Sequence, residues 1–170
     1  MTHATPIAAT IHGVRQVIFY VQSGLVACDP ATGGELWRIP YDYRTSSAAS
    51  PVVHGDVVYV SAGYGVGAGA FRITKDGDSF GHELLWRKRN KLMNHWSTPV
   101  AKDGHLYGMF SFKEYGEGPL ECVELATGDV KWSRGGFGPE HAILVGDVLV
   151  ALADTGEVVL AEPQPDAYRE

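Results

Sequence analysis

Short apolar runs, each the length of a β-strand, follow one another along the chain with turn residues between them. The runs are rich in β-branched and aromatic residues, and Gly, Asp and Asn separate them, which predicts strands. In four runs the apolar residues are continuous rather than alternating, so we expect both faces of these strands to be covered. These runs are Val17-Ile18-Phe19-Tyr20-Val21, Val57-Val58-Tyr59-Val60, Leu106-Tyr107-Gly108-Met109 and Val148-Leu149-Val150. No segment has the N-cap and the 3.6-residue period of a helix.

The runs recur at similar intervals, which identifies a repeat protein. Each follows a turn glycine, and the four glycines lie 42, 49 and 42 residues apart. Three tryptophans keep a similar step, with spacings of 49 and 46 residues, and a Ser/Thr-Pro pair precedes three of the runs. The landmarks are Gly13, Gly55, Gly104 and Gly146; Trp37, Trp86 and Trp132; and Thr5-Pro6, Ser50-Pro51 and Thr98-Pro99. Three landmarks in one constant order indicate four related units.

The four units predict an all-β fold, a β-propeller built of four-stranded antiparallel blades. We assign the repeats to residues 2–43, 44–92, 93–136 and 137–170, within a single propeller segment. The fourth unit is incomplete because no tryptophan strand follows Val158-Val159-Leu160. We therefore expect about four blades with roughly fifteen strands, and an incomplete last blade whose open edge invites pairing with another chain.

Composition narrows the functions that such a propeller can have. The chain has 170 residues, with 14 Lys+Arg against 20 Asp+Glu and a net charge of -6, which argues against nucleic acid and anionic membrane as partners. No apolar run approaches the roughly 18 residues that a membrane span needs, and the first residues do not resemble a signal peptide. The 21 glycines agree with a fold rich in turns, and two cysteines are too few for a disulfide framework.

Two phrases resemble the repeat of the PQQ-like (pyrroloquinoline-quinone-like) β-propellers: Asp29-Pro30-Ala31-Thr32-Gly33-Gly34-Glu35-Leu36-Trp37 and Ser50-Pro51-Val52-Val53-His54-Gly55-Asp56-Val57-Val58-Tyr59-Val60. The stretch from Asn94 to Trp132 is similar to the same repeat. The family contains quinoprotein dehydrogenases and non-enzymatic scaffolds, among them the propeller subunit of the outer-membrane β-barrel assembly machine. The resemblance implies a periplasmic or exported parent protein, and docking of each blade tryptophan against the adjacent blade. These residues are Trp37, Trp86 and Trp132.

The resemblance also implies what a quinoprotein enzyme would need: PQQ on the propeller axis, a Ca²⁺ site, an Asp base and, in many members, adjacent cysteines. Cys28 and Cys122 belong to the first and third repeats and fall on opposite strand faces, one position out of register. No residue can be assigned as the base, so we predict no catalytic residue and no cofactor. We therefore expect a non-catalytic binding or scaffold module. The alternative is part of a PQQ-dependent quinoprotein oxidoreductase that binds PQQ with Ca²⁺.

Candidate binding residues lie just before the innermost strands. His3, His95 and His141 each lie there, where the chain opens onto one face around the central channel, and propellers usually bind ligands at that face. Together with Trp96 they are our candidates for binding a protein or a small molecule, and we assign no metal ligand. The other interpretation is that each histidine makes a local hydrogen bond within its own blade.

Three further features have simpler interpretations. The glycine-rich run Gly63–Ala70 is not followed by a helix, so it predicts a hairpin between strands rather than a dinucleotide-binding loop. The basic run Arg87–Lys91 has no interleaved aromatic residues, which predicts a solvated connection between blades. His12 and His54 each precede a repeat glycine and are interpreted as turn residues.

The repeat count raises the question of assembly, because propellers of this family usually have seven or eight blades. The chain is either a fragment of a longer propeller or one of two copies that assemble into a closed eight-bladed ring. A free-standing four-bladed ring is the third possibility. In the first two cases open blades must be covered, so we expect a homodimer.

Overall fold

The structure, a computed structural model, describes residues 2–170. These residues contain fifteen β-strands, joined by turns and loops, and no helix. The strands form four antiparallel sheets, and in each sheet every strand pairs with the next one along the chain. This is a four-blade β-propeller, so the predicted fold class is confirmed. None of the described residues belongs to a helix long and apolar enough to cross a membrane.

Each blade is a meander of consecutive strands. Blade 1 holds β1 (Ile7–Ile11), β2 (Val14–Val21), β3 (Gly24–Cys28) and β4 (Glu35–Pro40). Blade 2 holds β5 (Val52–His54), β6 (Val57–Ala62), β7 (Gly67–Asp76) and β8 (Ser79–Lys88). Blade 3 holds β9 (Val100–Lys102), β10 (His105–Met109), β11 (Leu120–Glu124) and β12 (Val130–Arg134). Blade 4 holds β13 (Ala142–Val145), β14 (Val148–Leu152) and β15 (Val158–Ala161), and the described residues add no fourth strand.

The first turn of every blade explains the repeated glycine. Each of these glycines has a φ between 60° and 75°, the left-handed region that glycine adopts without steric cost. The four are Gly13, Gly55, Gly104 and Gly146. The same turns tie neighbouring blades together. His12 Nε2 lies 2.7 Å from the Ile73 carbonyl oxygen of blade 2, and Gly104 N donates to His54 Nε2 at 3.2 Å.

Three hydrophobic cores lie between neighbouring blades. Blades 1 and 2 share a core that contains Ile39 and Phe71, and blades 2 and 3 share one that contains Tyr59 and Leu106. The third core lies between blades 3 and 4 and contains Leu149. Among residues 2–170 no core joins blade 4 back to blade 1, so the blades form an arc with an uncovered face at each end.

The end blades differ from the middle ones in how far they are covered. Every residue of β6 is buried, as its continuous apolar run predicts. In β14 burial alternates, and Val148 and Leu152 are both 40% exposed. Burial also alternates along β2, where Phe19 is 36% exposed. The run Leu106–Met109 of β10 is buried as well. The expectation that both faces are covered is therefore right for blades 2 and 3 and wrong for blades 1 and 4, because an end blade has a neighbour on one side only.

The tryptophans of the outermost strands lie on the side of each blade that faces the next one. Trp86 Nε1 donates to the Leu125 carbonyl of blade 3 at 2.8 Å. Trp132 Nε1 donates to the Gln164 carbonyl, in the segment that follows blade 4, at 2.8 Å. Trp37 belongs to the core between blades 1 and 2, while its Nε1 donates to Gln16 Oε1 of its own blade at 2.6 Å.

Candidate binding face

One end of the propeller gathers the segments that enter the innermost strands. The β4–β5, β8–β9 and β12–β13 connections lie at this end together with the β6–β7 and β10–β11 loops, because consecutive strands run antiparallel. We call this end the loop face. Backbone hydrogen bonds join its segments: Ala48 N donates to the His95 carbonyl at 2.7 Å, and Gly138 N donates to the Gly118 carbonyl at 2.9 Å.

Five ring side chains form a continuous group on the loop face, with His95 at its centre. The His95 ring centroid lies 5.1 Å from that of Tyr64, 5.0 Å from that of Trp96 and 5.1 Å from that of Phe112. Trp96 and Tyr115 are stacked with ring centroids 6.4 Å apart. We call these five residues, Tyr64, His95, Trp96, Phe112 and Tyr115, the aromatic cluster.

The aromatic cluster is held from below by Asn94, which is fully buried. The Asn94 Oδ1 accepts a hydrogen bond from the Tyr59 hydroxyl at 2.5 Å, and Nδ2 donates to the Met109 carbonyl at 2.7 Å. The backbone N of Asn94 donates to Ser61 Oγ at 2.9 Å. These bonds connect three elements, β6, β10 and the β8–β9 connection, so they fix the backbone that presents His95 and Trp96.

The His95 imidazole is expected to be neutral near pH 7. The residue is 9% exposed, and burial lowers the pKa of its imidazole below the ordinary value of 6.5, with smaller contributions from the charges of Lys113 and His3. The Nδ1 atom is buried without a hydrogen-bond partner among the described residues. The Lys113 ammonium lies 5.0 Å from the ring centroids of Tyr64 and Phe112, which places one positive charge over the aromatic cluster.

We expect an NMR titration of the His95 imidazole to have its midpoint below 6.5. The unfolded chain binds this proton near the ordinary pKa and the folded chain binds it only at lower pH. The free energy of unfolding should therefore fall as the pH drops below about 6.5. In urea titrations the variant His95→Gln should lose less stability than the wild type between about pH 7.5 and about pH 5. His141→Gln, at an exposed histidine, is the control. A midpoint at or above 6.5, or the same pH dependence in His95→Gln, contradicts this assignment.

The structure brings together three of the four predicted binding residues. His95 and Trp96 are members of the aromatic cluster, and His3 lies close enough for its charge to influence the pKa of His95. Trp96 Nε1 also donates to the Pro139 carbonyl at 2.5 Å, which ties the cluster to the β12–β13 connection. His141 is exposed, and in residues 2–170 no ring contact joins it to the cluster.

Sequence reasoning missed Tyr64, Phe112, Lys113 and Tyr115. All four lie in the loops between the second and third strands of blades 2 and 3, whereas the predicted residues all came from the segments before the innermost strands. The available signal was positional, because the same loop of two successive repeats contains exposed or half-exposed aromatic residues. Antiparallel pairing brings those loops to the end of the propeller where His95 lies.

Potential metal ligands and the two cysteines are the side chains that PQQ with Ca²⁺ would require in this family. In the part of the chain that the structure describes, no three His, Cys, Asp or Glu side chains are grouped so that they could hold a metal ion. Cys28 and Cys122 are free thiols in blades 1 and 3, so they do not form an adjacent pair. Cys28 is half-buried on the uncovered side of blade 1, and Cys122 is buried between blades 3 and 4.

Comparisons with known proteins agree with this architecture. A family model described as "Outer membrane protein assembly factor BamB" matches residues 1–134. A comparison with curated protein sequences finds no match.

Two solved structures share the fold. BamB from Moraxella catarrhalis is similar with a TM-score of 0.55 and 19% sequence identity, over 94% of this chain and 45% of that one. A europium-containing methanol dehydrogenase is similar with a TM-score of 0.54 and 13% identity, over 94% of this chain and 38% of that one. The chain therefore spans less than half the length of either structure.

Proposed function

Since this chain belongs to the family of the outer membrane protein assembly factor BamB, we propose that it is a non-catalytic propeller that binds a protein partner through its loop face. The aromatic cluster is the observation that carries the proposal. Two of its rings are accessible, Tyr64 at 47% and Tyr115 at 63% exposure, while His95 beneath them is buried. A group of rings whose backbone is fixed by buried hydrogen bonds and whose outer members are exposed to solvent is typical of a binding surface.

The chemistry of the aromatic cluster favours a protein as the ligand. Aromatic rings on a fixed backbone bury a large area on binding and lose little conformational freedom, and such residues often dominate the energy of protein interfaces. Lys113, above the rings of Tyr64 and Phe112, adds a positive charge that can pair with a carboxylate. The proposed partner surface therefore combines apolar side chains with an acidic residue. We propose that this partner takes part in outer membrane protein assembly, and hence that the chain acts in the periplasm or another exported location.

Photo-cross-linking in the native host tests the partner. We expect a photoreactive amino acid in place of Tyr115 to cross-link to a protein of outer membrane assembly, and Trp96→Ala to reduce the yield. A photoreactive residue in place of Asp78, exposed in the β7–β8 turn at the opposite end of blade 2, is the control and should not give this product. Equal yields from both positions, or no outer membrane assembly protein cross-linked through position 115, would contradict the proposal.

Self-association is the second part of the proposal, and it rests on an aliphatic surface of blade 4. Residues paired across antiparallel strands project from the same side of a sheet. Ile143 pairs with Val150, and Val150 pairs with Leu160. This side points away from blade 3, and six of its seven aliphatic residues are between 40% and 62% exposed. We call the seven the blade-4 face: Ile143, Val145, Val148, Val150, Leu152, Val158 and Leu160.

The strand register shows what the same side does in a blade with two neighbours. In blade 2, Tyr59 pairs with Ala70, and Ala70 pairs with Trp86. This row lies in the core that blade 2 shares with blade 3. Val150 and Leu160 of blade 4 correspond to Tyr59 and Ala70 of blade 2. The blade-4 face is therefore equivalent to the side of blade 2 that packs against the next blade.

We assign the blade-4 face to blade 1 of a second copy. Blade 1 is the other end of the arc, and Phe19 is 36% exposed on its uncovered side. The charged groups near the two surfaces are largely paired within the chain, Arg38 with Glu35 and Asp147 with Lys102, so the proposed contact depends on apolar burial rather than on charge. Two copies joined in this way close a ring of eight blades through two identical interfaces.

A further inference from the structure

We propose that a cleft between blades 1 and 2 binds a small polyanion, a compound with two or more carboxylate or phosphate groups. The cleft is a cavity of about 360 Å³ on the loop face, beside the aromatic cluster. It lies where the β4–β5 connection meets the β6–β7 hairpin and the end of β8. Its volume is in the range of small-molecule sites. This inference goes beyond the proposed protein partner; the cleft shares Tyr64 with the aromatic cluster, but the inference depends on arginines outside that cluster.

Three arginines from two separate segments line the cleft. Arg44 comes from the β4–β5 connection, Arg87 from β8, and Arg89 from the residues directly after it. The single carboxylate in the lining is Asp42. Among residues 2–170 none of the three guanidinium groups takes part in an ion pair. With three guanidinium groups and one carboxylate, the cleft has a net positive charge, on a chain whose net charge is -6.

The Arg87 side chain is ordered in advance of any ligand. Its guanidinium carbon lies 4.3 Å from the ring centroid of Tyr41, and that ring is fixed because the Tyr41 hydroxyl donates to the Gly67 carbonyl at 3.1 Å. The composition of the basic run that contains Arg87 predicted a freely solvated connection between blades, and the structure shows that this prediction is wrong for Arg87. The run is partly strand, and the chain packs its first arginine against the β4–β5 connection.

Two polar groups of the cleft lining lack a partner. The Arg87 Nε atom and the Tyr43 hydroxyl are both buried without a hydrogen bond among the described residues. A buried donor without a partner is costly unless a ligand or water satisfies it. Both atoms have almost no solvent-accessible surface, so oxygen atoms of a bound anion can accept from them only if the Arg87 and Tyr43 side chains shift toward the cleft on binding.

Three guanidinium groups around one cavity favour a ligand that has more than one anionic group. A guanidinium binds carboxylate and phosphate in two-point contacts, and three of them around one cavity exceed what a single carboxylate can pair with. Thr45 and Ser46 add hydroxyl groups to the lining. Citrate and pyrophosphate are therefore suitable probes for the two chemistries, and acetate is the control with one charge.

Isothermal titration calorimetry of the full chain in low salt tests the proposal. We expect citrate, pyrophosphate or both to bind at one site per chain, acetate not to bind, and affinity to fall as salt is added. The double variant Arg44→Gln/Arg89→Gln should weaken binding at least about tenfold. Both side chains are exposed, so the variant should keep the wild-type melting temperature. The matched control is Arg134→Gln, an exposed arginine of blade 3 outside the cleft, which should bind like the wild type.

The possible outcomes distinguish phosphate ligands from carboxylate ligands. They also distinguish failure of the cleft proposal from failure of the protein-partner proposal. Binding of pyrophosphate alone supports the cleft and assigns it to phosphate compounds, and binding of citrate alone assigns it to polycarboxylates. Failure of both probes to bind, or equal affinity in the double variant and the wild type, overturns the proposal. Neither of these failures affects cross-linking from position 115, which tests the protein partner independently.

Discussion

Replacing Asn94 with alanine should lower the free energy of unfolding by about 2–4 kcal/mol. The substitution leaves the Tyr59 hydroxyl without its short bond to Asn94 and the Met109 carbonyl without a donor, and both groups lie in the interior. It also opens a small cavity at a site where three segments meet. Urea denaturation followed by circular dichroism measures the effect, and the m-value should be unchanged.

A matched control for Asn94→Ala lies three residues away. Lys91 is exposed in the same β8–β9 connection, so Lys91→Ala should change stability by less than about 0.5 kcal/mol. If Asn94→Ala also falls within about 0.5 kcal/mol of the wild type, the Asn94 hydrogen bonds do not fix the backbone of the aromatic cluster. That result would remove the structural basis of the loop face as a binding surface.

Replacing Leu160 with lysine should weaken self-association at least about 100-fold. Leu160 is 58% exposed in the single chain, so the monomer can accommodate the charge. In the proposed ring the new ammonium would lie in an apolar interface, opposite the side of blade 1 that exposes Phe19. Because each ring has two identical interfaces, one substitution affects both of them. Sedimentation velocity over a range of concentrations measures the change.

The control for Leu160→Lys is Val130→Lys. Val130 is an exposed aliphatic residue, at 46%, in β12 of blade 3 and outside the blade-4 face. It should leave both the melting temperature and the association constant close to those of the wild type. Unchanged self-association in Leu160→Lys, with the fold intact by circular dichroism, would show that another surface joins the copies.

The fold was predictable because its signals are local and repeated. Glycines at positive φ mark the first turn of each blade, and the apolar runs that follow them form the second strands. Trp37, Trp86 and Trp132 mark the outermost strands of the three complete blades. Whether a neighbouring blade covers each face of a blade was not predictable in this way. A continuous apolar run such as Val148-Leu149-Val150 has the same sequence character whether or not a neighbour covers it, and only the order of blades in the arc decides its exposure.

The candidate site was predictable only in part. The segments before the innermost strands gave His95 and Trp96, because the repeat fixes where those strands begin. Tyr64 and Phe112 come from loops whose sequences do not repeat, and their contact with His95 depends on how two blades sit beside each other. The arginine cleft has the same origin, because Arg44 and Arg87 are separated in sequence and meet only where two blades pack together.

The mass of the wild-type chain in solution tests the central claim, that these four blades are completed by a second copy, most directly. Size-exclusion chromatography with light scattering should give a particle of twice the 18.4 kDa of one chain. In such a particle each copy covers the apolar sides of blades 1 and 4 that the single chain leaves open to water. A stable monomer of 18.4 kDa with cooperative unfolding at all concentrations would contradict the claim.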